Sequence, residues 1–323
     1  MNLRSMLFAL LAGAALPAAA QPYAERAEVH AFVAEMANQH GFDADELLAA
    51  FRKAKPDPLV LKAIAPPVNP GVRSWRVYRS RFVEPTRIGR GLAFWNRHAD
   101  ALARAEETYG VPAEIIVAII GVETLYGKHM GRFHAFNALT TLAFDYPPRA
   151  ELFRGELAAL LLLAREEHRD PWSYVGSYAG AIGLPQFLPS SMRNYAIDFD
   201  GSGDIELANS ADDAIGSVAR FLKAHGWEAG GAITVPAQVS GDPAALLAED
   251  ITPRRLPADL AAFGVAADAA PAQPAALIDL VTPGAPTEYR LGYNNFFVLT
   301  RYNRSTFYAC AVLDLAAVLR AAH

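Results

Sequence analysis

Residues 111–127, VPAEIIVAIIGVETLYG, decide the fold that this sequence predicts. Pro112 follows Gly110 and is well suited to the start of a helix. The next twelve residues are so apolar that isoleucines occupy almost every face of that helix. A helix without a polar face belongs in the interior of a globular domain. The segment therefore predicts a short buried helix that ends near Thr124.

Glu123 brings a carboxylic acid to the end of this apolar helix. Burial disfavours the charged form and raises the pKa, which is what a general acid at neutral pH requires. A pKa raised by about two units costs roughly 2.7 kcal/mol of stability. Gly127 and Gly131 would let the backbone pass close to a ligand. A surface glutamate at a helix end is the alternative interpretation of the pattern alone.

The rest of the chain is predicted to be mainly helical. Residues 27–54 are typical of two helices broken near Gly41, and Asp43 is suited to begin the second. Between Trp227 and Pro286, the Ala-, Pro- and Gly-rich composition favours small helices and loops. The other helices are predicted over 86–109, 149–168 and 213–225, and from about 306 to the end of the chain.

The stretch Asp198-Phe-Asp-Gly-Ser-Gly-Asp204 resembles the first half of a helix-loop-helix calcium loop. Oxygen-bearing residues stand at alternate positions with glycine at the sixth, which suits a hard cation. Position 12 is Asn209 and not glutamate, so a closing acid would come from Asp212 or Asp213. An Asx-rich turn without a metal is the alternative.

Residues 176–190, GSYAGAIGLPQFLPS, are rich in Gly, Ser, Tyr and Gln. Small residues allow a polysaccharide to approach, while hydroxyl, amide and aromatic groups can bind sugars. A structural glycine-rich loop packed under the core is the alternative. No G-x-S-x-G elbow accompanies the stretch.

The N-terminus has the pattern of a cleaved secretory signal: Arg4, an apolar run over residues 6–16, and Ala18-Ala-Ala20 before Gln21. No cysteine follows the apolar run, so a soluble periplasmic protein without a lipid anchor is expected. Cys310 is the only cysteine, which excludes an intrachain disulfide. The net charge of −5, without Lys/Arg runs, argues against nucleic acid as a partner.

Several motifs in order resemble the soluble lytic murein transglycosylase B family of Gram-negative bacteria. The resemblance covers most of the chain from about residue 75 to the end. The motifs are VPAEIIVAIIGVET (111–124), LTTLAFDYP (139–147), GSYAGAIGLPQFLPSS (176–191), DFDGSGDIEL (198–207), DAIGSVARFLKAHGW (213–227) and TRYNRSTFYA (300–309).

This resemblance implies a mainly α (α+β) protein with a lysozyme-like catalytic core, a helical domain built from both chain ends, and a small β subdomain with an EF-hand-like loop. The implied organisation is a signal peptide (1–20), an α domain (21–74 with 235–285), a catalytic core (75–190 with 214–234 and 286–323) and a calcium subdomain (191–213).

The resemblance also implies the site. Glu123 corresponds to the single catalytic acid of the family, and Ca²⁺ would be structural. Where some relatives have two consecutive arginines, this chain has Pro148-Arg149, so a carboxylate contact there would rest on Arg149 alone. The implied glycan-binding residues are Tyr78, Arg149, Ser177, Gln186, Tyr302, Asn303 and Tyr308. The implied calcium ligands are Asp198, Asp200, Ser202, Asp204 and Asp213, with Asp212 left open as the closing acid.

The implied activity is cleavage of the MurNAc-GlcNAc β-1,4 bond of peptidoglycan with formation of 1,6-anhydromuramic acid ends. A muramidase-type hydrolase would need a second carboxylate roughly 5 to 9.5 Å away, for which Asp145 is the nearest candidate in sequence. The other alternative is a non-catalytic peptidoglycan-binding protein. We expect a monomer without an organic cofactor. Its expected partners are peptidoglycan glycan strands and other wall-remodelling enzymes.

Overall fold

The computed structural model describes residues 21–66, 71 and 73–323. The predicted signal peptide, residues 1–20, lies outside the described residues. The α-helices are α1 (Ala27–His40), α2 (Ala44–Lys53), α3 (Pro58–Ile64), α4 (Trp75–Ser80), α5 (Pro85–Arg97), α6 (Ala99–Tyr109), α7 (Ala113–Thr124), α8 (Ala135–Asp145), α9 (Ala150–Glu166), α10 (Pro189–Tyr195), α11 (Ala211–Ala224), α12 (Ala244–Leu247), α13 (Pro257–Ala261), α14 (Asn294–Tyr302) and α15 (Thr306–Ala322). The strands are β1 (Phe133–His134), β2 (Val175–Gly176), β3 (Thr234–Val239), β4 (Val265–Ala266), β5 (Ala276–Leu280) and β6 (Glu288–Gly292). Short 3-10 helices cover Tyr23–Glu25, Pro147–Arg149 and Pro171–Ser173. The expected mainly helical fold with small sheets is confirmed.

Residues 21–55 form one unit, which contains the two predicted helices, α1 and α2, packed against each other. Gly41 ends α1 in the left-handed conformation, with φ of 69°. An Asp43 carboxylate oxygen then accepts the N–H groups of Asp45 and Glu46, each at 2.9 Å, and so caps α2. Phe32 and Phe51 pack edge to face between the helices, with ring centroids 6.0 Å apart.

Residues 56–323 form the second unit, and α7 lies at its centre. Helices α5, α6, α11 and α15 all pack against α7. Its isoleucines are fully or almost fully buried, which agrees with the predicted absence of a polar face. Burying one such side chain contributes about 1.5–3 kcal/mol, so the isoleucines of α7 together stabilise this part of the chain substantially.

The single helix expected over 86–109 is instead two helices, α5 and α6, separated at His98. The backbone of His98 leaves the helical region, with φ of −115° and ψ of 28°. Its ring packs on Phe94 at 4.7 Å, and Nδ1 lies 3.1 Å from an Asp212 carboxylate oxygen. The contact with Asp212 of α11 is distant in sequence, so sequence periodicity does not report it, and it holds the break.

The segment 235–285 was expected to be helical, and this expectation is wrong. Strands β3, β4, β5 and β6 form an antiparallel sheet in the order β4-β3-β6-β5, and only α12 and α13 interrupt it. Residues Ala276–Leu280 of β5 are almost all buried and do not alternate. A short apolar run of this kind cannot be told from a helix by its period. Its inner face packs with Leu246, Leu260 and Val265.

Residues 191–213, predicted as the small β subdomain, contain the end of α10, a turn-rich loop and the start of α11, and no strand. The strands of the described chain lie elsewhere. The grouping of the segments into domains stays a prediction.

The closing helix α15 is tied to the sheet and to α4 through Asp314. The Asp314 carboxylate accepts hydrogen bonds from Arg290 of β6 at 2.8 Å and from Arg79 of α4 at 2.5 Å. The Asp314 side chain is only 13% exposed. Removing one member of such a group leaves buried charge uncompensated, so the contact fixes where α15 lies.

Among the described residues, no single helix is long and apolar enough to cross a membrane. Helices α14 and α15 reach the length and apolar composition of a membrane span only when they are taken together, and this pair is bent by 109°.

Candidate active site

Glu123 lies in the last turn of α7, and the chain turns sharply after it. Leu125, Tyr126 and Gly127 follow one another in the left-handed region, with φ of 52°, 58° and 85°. This conformation costs L-residues roughly 1–2 kcal/mol each, so tertiary contacts must hold Leu125 and Tyr126 there. Backbone strain in consecutive non-glycine residues often occurs at functional sites.

Thr124 joins this turn to the glycine-rich loop. Its buried hydroxyl donates to the carbonyl of Leu184 at 3.0 Å or to that of Ile120 at 3.2 Å. The same oxygen accepts the N–H of Gly127 at 3.0 Å. The segments 111–127 and 176–190, which sequence analysis treated separately, are thus in contact at the end of α7.

Tyr126 is a feature that sequence analysis missed. A Cβ added at Gly91 of α5 or at Gly121 of α7 would collide with the Tyr126 hydroxyl, so the two glycines make room for this ring. None of the described residues forms a hydrogen bond with this buried hydroxyl. The only sequence signal was glycine inside two predicted helices, where it is intrinsically unfavourable.

Tyr308 of α15 donates a hydrogen bond to Oε1 of Glu123 at 2.6 Å. Burial raises the pKa of Glu123 from 4.5 to about 7, and this hydrogen bond opposes the rise because it stabilises the carboxylate. Tyr308 is itself buried, and burial together with the Glu123 charge raises its own pKa well above 10.0. The tyrosine therefore remains a hydrogen-bond donor over the whole range in which Glu123 titrates.

Tyr302 and Asn303 belong to the connection between α14 and α15. The Tyr302 ring lies nearly parallel to that of Tyr308, with centroids 6.4 Å apart, and its hydroxyl donates to the Pro185 carbonyl at 2.5 Å. The side-chain oxygen of Asn303 accepts the N–H of Ser305 at 3.1 Å, and Ser305 caps α15. These contacts hold the start of α15, which carries Tyr308.

Gln186 and Ser177 use their side chains within the glycine-rich loop. Gln186 has φ of 51°, and its Nε2 donates to the carbonyls of Gly183 at 2.9 Å and Met130 at 3.2 Å. The Ser177 hydroxyl accepts the N–H of Ala181 at 3.1 Å. Both side chains are partly exposed, so their contact with a glycan stays a prediction.

Tyr78 and Arg149 are the other two predicted glycan contacts. Tyr78 is half-buried against Phe82 and Phe307, with centroids 5.1 and 5.6 Å away. The pKa of Tyr78 is raised, mainly by burial and next by the charge of Glu123. Arg149 is exposed, and its guanidinium lies 5.4 Å from the Phe153 ring.

Three predicted calcium ligands lie together at the start of α11. Ligand oxygens of Asp198, Asp200 and Asp213 are all within 4.8 Å of one another. Asp213 is fully buried, and its carboxylate accepts backbone N–H groups from Phe199 at 2.8 Å and Glu206 at 2.8 Å. Asp213 therefore points into the loop.

The remaining residues of the loop separate into two groups. Asp212, the other candidate for the closing acid, has its carboxylate beside His98. The Ser202 hydroxyl donates to the main-chain oxygen of Asp204 at 3.2 Å, so both residues contribute to the turn. Three carboxylates converging on one point with hydroxyl and carbonyl oxygens nearby form a donor set that fits Ca²⁺. Assignment of the five ligands stays a prediction.

Comparison with known proteins establishes the class: this is a peptidoglycan lytic transglycosylase with a lysozyme-like fold. The family model described as Transglycosylase SLT domain matches residues 24–317, and the chain belongs to that family. The resemblance found in the sequence is thereby confirmed.

Three relatives illustrate the match. Membrane-bound lytic murein transglycosylase B of Escherichia coli is 42% identical over 317 residues, which cover 91% of this chain and 82% of that protein. The structure of soluble lytic transglycosylase SltB1 from Pseudomonas aeruginosa matches with a TM-score of 0.85 and 46% identity over 91% of this chain and 99% of that one. The structure of Escherichia coli Slt35 in complex with calcium matches with a TM-score of 0.81 and 42% identity over 93% of both chains.

The raised pKa of Glu123 predicts a pH-dependent cost in stability. Between pH 4.5 and pH 7 the folded protein holds this proton more tightly than the unfolded chain, so stability falls as the pH rises. The ionised carboxylate should lower the free energy of unfolding by about 3 kcal/mol at pH 8. Glu123→Gln, which is always neutral, should therefore be more stable than wild type by about this amount at pH 8 and about equal to it at pH 4.5.

The measurement is urea denaturation of both proteins at the two pH values. Glu107→Gln, the same change at an exposed position of α6, is the matched control and should show no pH-dependent difference. An equal stability difference between Glu123→Gln and wild type at both pH values would contradict the prediction.

Proposed function

We propose that Glu123 cleaves the β-1,4 bond between MurNAc and GlcNAc as a general acid and then a general base. The Glu123 proton passes to the glycosidic oxygen, the bond from that oxygen to C1 of MurNAc breaks, and the GlcNAc end leaves with a hydroxyl. The muramoyl C6 hydroxyl attacks C1 and returns its proton to Glu123. The product is a 1,6-anhydro ring, and no water is consumed.

The observation that carries this proposal is the pKa of Glu123 at about 7, set by burial. An acid whose pKa lies near the working pH can both give and take a proton. Because the nucleophile is tethered to the sugar, its effective concentration is high, and a second carboxylate to activate water is not required. The names of the transglycosylase relatives agree with transfer instead of hydrolysis.

We further propose that Tyr78, Arg149, Ser177, Gln186, Tyr302 and Asn303 contact the glycan and that Tyr308 orients the acid. Phenol rings can stack on sugar faces, and the exposed guanidinium of Arg149 can meet a carboxylate. The place of action is the periplasm, in agreement with the peptidoglycan substrate of the relatives and with the predicted signal.

A Ca²⁺ ion in the loop 198–213 would be held by Asp198, Asp200 and Asp213 together with oxygens of Ser202 and Asp204. The complex of Slt35 with calcium supports this assignment. The ion would offset the mutual repulsion of the carboxylates and fix the start of α11, a structural role.

The first test is digestion of purified peptidoglycan, followed by mass spectrometry of the released muropeptides. Wild type should release products lighter by one water than hydrolytic ones. Glu123→Gln should lower the rate by at least about a thousandfold, since the single acid and base is lost, and Glu107→Gln should leave it unchanged. Full-mass reducing products would indicate a hydrolase, and no products from folded wild type would indicate a binding protein.

The second test concerns Tyr308. Tyr308→Phe removes a hydrogen bond that lowers the pKa of Glu123, so this pKa should rise and the decline of kcat at alkaline pH should move up by about one pH unit. The kcat at the optimum should fall about 10- to 100-fold, because the carboxyl group loses its fixed orientation. Tyr289→Phe in the sheet is the matched control. A lowered kcat with an unshifted pH profile would show that Tyr308 does not act through the acid.

The third test concerns calcium. Adding Ca²⁺ to EGTA-treated wild type should raise Tm by several degrees, because the ion binds only the folded loop. Asp198→Asn and Asp213→Asn should each abolish most of this increment, whereas Asp212→Asn should keep it. Loss of the increment in Asp212→Asn alone would assign the closing position to Asp212 instead.

A further inference from the structure

A hollow of about 370 Å³ lies beside Tyr78, on the part of the chain formed by α4, the residues just before and after it, and the start of α15. Its polar lining is basic: Arg73 and Arg81 both contribute, and no acidic residue is among its described lining residues. The whole chain carries a net charge of −5, so this concentration of positive charge is local. Its size is within the range of small-ligand sites.

Contacts near the active site hold the side chain of Arg73 and the backbone of Arg81. The Arg73 guanidinium lies 4.2 Å from the Phe307 ring and donates to the Thr306 hydroxyl at 3.2 Å, next to Tyr308 in the chain. The main-chain oxygen of Arg81 accepts a hydrogen bond from Arg87 at 2.5 Å, and Arg87 also donates to the carbonyl of Gly121 in α7 at 2.9 Å.

Tyr78 is shared between the hollow and the catalytic acid. Burial raises its pKa, the charge of Glu123 raises it further, and the charge of Arg81 lowers it. The Tyr78 hydroxyl therefore lies within electrostatic range of both Glu123 and Arg81. A glycan strand whose scissile bond is at Glu123 would bring its side groups close to the two arginines.

The remaining wall of the hollow is apolar. Val77 is 52% exposed, an unusual position for a valine, and Phe307 contributes its ring. Two cations beside an exposed aliphatic surface form a site for a carboxylate attached to a short alkyl chain. This combination is what the end of a small acidic peptide presents, and a neutral sugar does not offer it.

We propose that this hollow binds a carboxylate of the acidic peptide carried by the glycan strand, with Arg73 and Arg81 as its ligands and Val77 and Phe307 against the peptide's aliphatic groups. The proposal rests on the proposed function, because it assumes a peptidoglycan strand at Glu123. It makes the enzyme selective for strands whose peptides keep free carboxylates.

The experiment compares kcat/KM on two preparations of the same peptide-bearing strands, one with free peptide carboxylates and one with these carboxylates converted to amides. Wild type should prefer the free acids several-fold, and the preference should decrease as salt is raised. Arg73→Gln and Arg81→Gln should each reduce this ratio about threefold, and the double variant should bring it close to one through KM. Arg76→Gln, on α4 but not in the hollow lining, should keep the wild-type ratio.

A wild-type ratio of one, or an unchanged ratio in the double variant, would overturn the proposal. Strands stripped of peptide, which expose the lactyl carboxylate of muramic acid, form a third arm. A loss of activity in the arginine variants confined to these strands would assign the hollow to that carboxylate and also overturn the peptide assignment. Failure of this proposal can be told from failure of the proposed function. If only the binding of the peptide carboxylate is wrong, wild type still forms anhydro products on all three substrates. If the proposed function is wrong, no anhydro products form.

Discussion

The structure depends on one costly arrangement, a carboxylic acid buried at the end of an apolar helix. In its ionised form Glu123 opposes folding by about 3 kcal/mol, an appreciable part of the roughly 5–15 kcal/mol by which domains are stable. The packing of α7 against α5, α6, α11 and α15 offsets this cost. The turn after the acid adds backbone strain at Leu125 and Tyr126. Both costs fall on the same few residues.

The hydrogen bond from Tyr308 makes the acid depend on distant parts of the sequence, since 185 positions separate it from Glu123. Helix α15 carries Tyr308 and is fixed by Ser305 at its start and by Asp314 in its third turn. Asp314 in turn binds Arg290 of the sheet. The sheet and the closing helix therefore act on the site together: a change in the strands would reach Glu123 through α15, without any contact of its own with a glycan.

The sequence predicted what local chemistry determines. The apolar run predicted the bounds of α7 to within one residue. Gly41 predicted the end of α1, and Asp43 predicted the start of α2. The alternating oxygen-bearing residues predicted the turn of the loop 198–204. The sequence left two candidates for the closing acid, and in the structure Asp213 faces the loop while Asp212 faces His98. The sequence failed where tertiary contacts decide. The break at His98 and the sheet built from short, non-alternating strands have no local signal, and neither does the fit of Tyr126 between two glycines.

A single carboxyl group can serve as acid and base only under two conditions. Its pKa must lie near the working pH, because a stronger acid would be deprotonated before catalysis and a much weaker one would not release its proton. Its position must also stay fixed between the two steps, because the group that receives the second proton is the one that gave the first. Burial alone would satisfy the first condition and leave the carboxyl free to rotate. Burial raises the pKa of Glu123, while the Tyr308 hydrogen bond opposes this rise and holds Oε1, so burial and one hydroxyl group together set the pKa and the orientation of the carboxyl group.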